Sequence, residues 1–182
     1  TTTEQVQAAL RQIGISSDNP QGLFISGYFA EEEKRFAIPY NMVLASSVDE
    51  LNFLASRLEI LSTGERAELN AALQAPQSEL FSIGRITDFP ENVDYYVYLP
   101  DVHGPAQLGD YYLNRSGMVD MPEEWKGGID TAQFGRYVAQ QEQGVFTEYG
   151  YLVKSGDAWQ KVHEGQPVPE EYRVLSFPAP EV

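Results

Sequence analysis

The apolar positions of this chain switch repeatedly between helical and strand-like spacing, in short units without the rhythm of a βαβ fold. Val6, Leu10 and Ile13 recur at spacings of four and three, which predicts a first helix that Gly14 is placed to end. Ser16 to Gly22 reads as a loop. Leu23 to Phe29 and Phe36 to Tyr40 read as the strands of a hairpin, with Glu31-Glu32-Glu33-Lys34-Arg35 as its solvated turn. Two capped helices follow. In Ser47-Val48-Asp49-Glu50 the serine can accept from the Glu50 N–H while Glu50 reaches back, and the helix it opens carries Leu51, Leu54, Leu58 and Leu61 on one stripe. Ser62-Thr63-Gly64-Glu65 repeats the signature ahead of Leu69 and Leu73, and so short a connection makes the pair a helical hairpin.

Gln74 to Glu91 reads as a linker with one short helix or strand near Leu80. Tyr95 to Leu99, aromatic and β-branched, predicts a strand. Pro105 to Arg115 carries Leu108, Tyr111, Tyr112 and Leu113 at helical spacing. Asp130 can cap a further helix, with Gln133 three residues on and Phe134 and Val138 on its apolar face. Val145 to Val153 predicts a strand, Trp159 to Val162 a partner for it, and the Pro-rich Gln166 to Val182 an extended arm or ragged tail. The pattern as a whole predicts an α+β protein, elongated, built from small α+β subdomains with a central helical hairpin. The expected segments are an N-terminal α+β part (1–46), a helical middle with its linker (47–92), a C-terminal α+β domain (93–165) and a tail (166–182).

Composition sharpens this picture. Among 182 residues, 12 Lys and Arg face 27 Asp and Glu, a formal charge of −15. Phosphates would be repelled, which argues against direct nucleic-acid binding, and no nucleic-acid partner is expected. The opposite relation is allowed: carboxylates can occupy a surface built to receive phosphates. The same charge also suits a plain soluble acidic protein. The absence of cysteine rules out disulfides and thiolate metal sites. No apolar run approaches the roughly 20 residues that span a bilayer, so no membrane association is expected. The opening Thr1-Thr2-Thr3-Glu4 is neither a signal peptide nor an initiator Met, which reads as a processed or trimmed chain with the cytoplasm as its default location.

Candidate chemistry is sparse. His103 and His163 lack the spacing of a zinc-binding HExxH helix, and His103 beside Gly104-Pro105 reads as a turn residue. Phosphate-binding, dinucleotide-binding, nucleophile-elbow and EF-hand patterns are missing. The tyrosine clusters at 95–96, 111–112 and 149–151 read as core or interface. No catalytic residue, metal ligand or cofactor site is therefore expected. The acids instead form a trail: Asp88, Glu91, Asp94, Asp101, Asp110, Asp120, Glu123, Glu124, Asp130, Glu142 and Glu148 recur every few residues, mostly at expected helix starts, turns and strand ends. Duplex DNA carries one charge per roughly 1.7 Å of axis. A protein imitating it needs carboxylates spread along its length, and this trail is compatible with that.

Several stretches resemble one family. "MVDMPEEW" resembles the antirestriction motif of ArdA-type antirestriction proteins, "GIDTAQFGRYV" their Ile-Asp, aromatic-Gly-Arg helix, and "GVFTEYGYL" their closing strand. "VDELNFLASRLEILSTGERAELNAAL" is similar to the helical hairpin of their middle domain, and "YYVYLPDVHGPAQLGDYYL" to the strand and helix opening the third. The likeness covers about Val48 to Val153 and is weaker before it; Gly128, Thr131 and Tyr137 depart from residues common in the family. The resemblance implies a curved, elongated homodimer that carries no chemistry. It would occupy the DNA groove of type I restriction–modification enzymes and block them without turnover. It further implies phosphate imitation by Asp101, Asp110, Asp120, Glu123, Glu124, Asp130, Glu142 and Glu148, and a dimer seam at Met118, Val119 and Met121. The alternative expectation is a non-enzymatic binding module of a phage or conjugative element that keeps the fold without imitating DNA.

Overall fold

The computed structural model of the chain describes residues 2–15 and 35–174. Helix α1 (Thr3–Gln12) is opened by Thr2, whose side chain accepts from the Gln5 N–H, and stops one residue before Ile13. The predicted strand Leu23 to Phe29 lies outside the described residues. Its predicted partner, Phe36 to Tyr40, is not a strand: residues 35–39 carry no regular element and Tyr40 opens α2 (Tyr40–Leu44). Pro39 explains the change, because it has no N–H to give a ladder while its φ of −58° suits the entry to a helix.

Both capping boxes form. In α3 (Val48–Glu59) the Glu50 N–H donates to Ser47 Oγ at 3.1 Å and the Ser47 N–H to Glu50 Oε2 at 2.7 Å. In α4 (Thr63–Gln74) Ser62 and Glu65 make the same exchange at 3.3 and 2.7 Å. Each box satisfies two of the amides that a helix start leaves open. The stretch read as a linker with one short helix or strand near Leu80 does hold a short helix, but its apolar residues are core. Leu80, Ile83, Ile86 and Phe89 are buried, on and beside a short helix α5 (Ile83–Thr87) and a 3₁₀ turn (Phe89–Glu91). Their spacing of three is helical, but brackets of Pro76, Gly84 and Pro90 masked it.

The contacts gather the described residues into two compact units drawn from non-consecutive stretches. The first takes residues up to Leu61, then Leu80–Glu91 and Gln160 onward; the second takes Ser62–Glu79 and Asn92–Trp159. In the first, α3 packs on α5, and Phe53, Leu54, Leu58 and Leu61 are buried. The Pro-rich end is held there as far as Val174. Tyr172 lies 4.9 Å from the Phe53 ring, and the Val174 N–H donates to Asp49 at 2.6 Å.

The second unit holds an antiparallel sheet of order β1-β3-β2: β1 (Tyr96–Leu99), β2 (Val145–Thr147) and β3 (Gly150–Lys154), with Tyr96 opposite Lys154 and Val145 opposite Leu152. The single strand predicted over Val145 to Val153 is thus a hairpin turning at Glu148-Tyr149. Trp159 pairs with no strand; its ring stands edge-on to Tyr95 at 5.1 Å. α4 packs against β3, and α6 (Pro105–Asp110) continues into a π turn (Tyr111–Arg115). α6 crosses α8 (Thr131–Glu142) backbone to backbone, and glycines make this possible. A Cβ on Gly135 would overlap the Pro105 carbonyl, and one on Gly109 the Thr131 carbonyl. Val102, Leu108, Ala139 and Tyr151 fill the core between sheet and helices. Helices and a small antiparallel sheet make this an α+β fold. Among the described residues, no helix is long and apolar enough to cross a membrane.

Candidate functional site

The acids of the second unit outnumber its cations by 13 to 5, counted over the two stretches that form it. What distinguishes them is how each is held. Asp101 sits in the turn after β1, Asp120 in the irregular stretch after Gly117, and Glu124 on the short helix α7 (Glu123–Lys126). All three are exposed and have no side-chain hydrogen bond or ion pair among the described residues. Glu123 is exposed too, with the Lys126 ammonium at 2.6 Å. Asp130 caps α8, accepting from the Gln133 N–H at 2.9 Å. Acids at a helix start meet the positive end of its dipole. Glu123, Glu124 and Asp130 are therefore stabilised where they stand and still face water.

The other expected positions are engaged. Asp110 is half-exposed, accepts from Asn114 Nδ2 at 2.8 Å and has Arg115 at 3.5 Å. Glu148, in the β2–β3 turn, accepts from Gln74. Glu142 ends α8 half-buried, and its carboxylate receives the hydroxyls of both Tyr112, at 2.8 Å, and Tyr151. Burial, and then this shared acceptor, push both phenols well above their ordinary range. Of the apolar candidates, Met118 is 76% exposed, while Val119 and Met121 are half-buried in the same irregular stretch. Sequence reasoning passed over Trp125, which is 65% exposed between Glu124 and Lys126; an unburied Trp in an acidic stretch was the available signal.

Two clusters invite a chemical reading. Asp88, placed in the trail as an exposed acid, is in fact fully buried, and its carboxylate accepts from three successive amides: Val162 at 3.1 Å, His163 at 2.6 Å and Glu164 at 3.2 Å. With Glu91 and His163 it brings three ligand-type atoms within 4.8 Å of one another. Glu91, however, is paired with Arg57, whose cation opposes a metal, and the Asp88 oxygens are committed to amides. The geometry is that of a structural clamp joining α5 to the chain after Gln160. The groove beside His163, about 310 Å³, has Glu50 as its only lining carboxylate, so it offers no facing acid pair. The second cluster surrounds Glu68 on α4, which is 9% exposed with Oε1 unpartnered among the described residues. Burial, then Glu65 and Asp94, push its carboxyl up to about 8, so it holds its proton at neutral pH.

The Asp88 cluster holds structure, and the acids of the second unit that face water are the exposed ones described above. The sequence model of the family described as antirestriction protein (ArdA) matches residues 1–153. The chain belongs to that family. The match starts at the first residue, so the N-terminal stretch, where the likeness was weak, is part of the ArdA region as well. A search among curated proteins finds no match. ArdA membership implies an antirestriction function, exercised as an inhibitor acting on restriction–modification enzymes.

Proposed function

We propose that this chain is a DNA mimic that binds the DNA groove of type I restriction–modification enzymes and inhibits them stoichiometrically, in the cytoplasm. One observation carries the reading: Asp101, Asp120, Glu124 and Asp130 stand exposed with no ion pair among the described residues, and Glu123 is exposed beside its single partner Lys126. Such carboxylates can take the place of phosphates, and they attract a basic groove over a distance, giving fast and salt-sensitive association. The phosphate-imitating set is completed by Asp110, Glu142 and Glu148, and Met118, Val119 and Met121 form the seam of a homodimer. Because such a groove receives phosphates at positions that carry no base information, inhibition extends across enzymes of different sequence specificity.

The internal engagement of Glu142 and Glu148 favours a second reading, a non-enzymatic binding module that has kept the fold without a continuous phosphate-like trail. A competition experiment separates the two. Purified protein is titrated against labelled duplex bound to a type I methyltransferase core, at low and high salt. Displacement near equimolar ratio that weakens as salt rises supports mimicry; no displacement at large excess selects the module.

A further inference from the structure

The stretch from Gly117 to Asp130 contains one basic residue, Lys126, and it is folded away: its ammonium lies 2.6 Å from Glu123 and its side chain is only 15% exposed. The outward side chains of the stretch include Met118, Asp120, Glu124, Asp130, the outer part of Glu123 and the indole of Trp125, 65% exposed. The backbone of Trp125 is pinned on both sides. Its N–H donates to the Pro122 carbonyl at 3.0 Å, and its own carbonyl accepts from the Gly128 N–H at 3.0 Å. A single exposed apolar side chain is ordinary on a protein surface. An indole with a fixed backbone, set in an acidic stretch of sequence whose one cation is paired with Glu123, has a defined chemical complement. A guanidinium stacks flat on the ring while its N–H groups reach the flanking carboxylates, a geometry an ammonium cannot reproduce.

We propose that Trp125 is an affinity anchor: it binds an arginine on the phosphate-receiving face of the restriction–modification enzyme, with Asp120, Glu123 and Glu124 as the flanking acids. The inference rests on the DNA-mimic reading and assigns to it a component that phosphate imitation alone lacks. Carboxylates facing a basic groove give affinity that falls steeply with salt. A stacked, desolvated arginine gives affinity that salt barely touches, and Trp is the residue type that most often dominates an interface in this way.

The test is the displacement constant of the full chain against duplex on a type I methyltransferase core, measured across a salt series for the wild type, W125A, W125F and D120N/E124Q. W125A is expected to weaken displacement by about tenfold at every salt concentration, leaving the steepness of the salt dependence unchanged. W125F, which keeps a π face, stays within about threefold of the wild type. D120N/E124Q does the reverse and flattens the salt dependence. Equal displacement by W125A and wild type overturns the anchor while leaving the mimic reading intact. Failure of the wild type itself to displace duplex overturns both. A fall in the solution mass of W125A relative to wild type assigns the indole to a second copy of this chain, and so also overturns the proposal.

Discussion

Asp88 and Glu124 carry the same functional group in opposite settings. Asp88 has no exposure, and its oxygens are occupied by three successive amides of the chain after Gln160. Glu124 stands in the first turn of α7, facing water, with no partner among the described residues. The contrast teaches how an acidic protein can be both folded and poorly neutralised. Carboxylates that hold structure are removed from water and fully hydrogen-bonded, since a buried charge survives only when its partners are supplied. Those available for recognition sit at helix starts and turns, where the local dipole stabilises charge without a cation to cover it. Net charge alone does not separate the two kinds; burial and bonding do.

The contrast breaks most visibly at Asp88. D88A removes the acceptor shared by three part-buried amides and leaves a cavity where a fully buried carboxylate stood. It is expected to cost about 2–4 kcal/mol, read from urea unfolding; a loss below about 1 kcal/mol would put Asp88 with the surface acids. Glu142 is the position that sharpens the comparison, because it was expected to imitate phosphate yet holds two tyrosine hydroxyls. E142Q weakens charge-assisted bonds and is expected to destabilise the fold by about 1–3 kcal/mol, seen as a lower midpoint of denaturation.

Glu68 adds a pH dependence with a definite sign. Its folded-state carboxyl, at about 8, lies above the ordinary value of 4.5, so the folded chain holds a proton that the unfolded chain releases. Stability from this group is complete below about pH 4.5, falls as pH rises, and is lost once pH passes about 8. E68Q should remove that decline, gaining about 1–2 kcal/mol on the wild type by pH 9 with little difference at pH 4. A constant offset between the two at all pH values would contradict it. At the small end, E124Q alone should change stability by less than about 0.5 kcal/mol, because its charge meets only the weak dipole of a single exposed turn and no side-chain partner among the described residues.

Much of this architecture is legible in the sequence wherever the signal is local. Ser47/Glu50, Ser62/Glu65 and Asp130/Gln133 announce three helix starts because a cap and its amide lie within four residues. Long-range pairing is where reading fails. Val145 to Val153 looks like one strand because its apolar run continues through the turn at Glu148-Tyr149, and only pairing across that turn reveals two. Residues 80–89 look like a linker because their burial comes from segments distant in sequence, α3 and the chain after Gln160. The candidate surface divides in the same way. The acids themselves can be counted from sequence, but Asp88 and Glu142 are sorted from Asp120 and Glu124 only by amides and hydroxyls that arrive from elsewhere in the fold.

The central claim is that the exposed acids carry inhibition and contribute little to folding. The direct measurement is one preparation of D101N/D120N/E123Q/E124Q assayed twice, for thermal unfolding and for inhibition of a type I enzyme's DNA cleavage. The account predicts a melting temperature within a few degrees of the wild type together with abolished inhibition. Undiminished inhibition by the folded quadruple variant would contradict it.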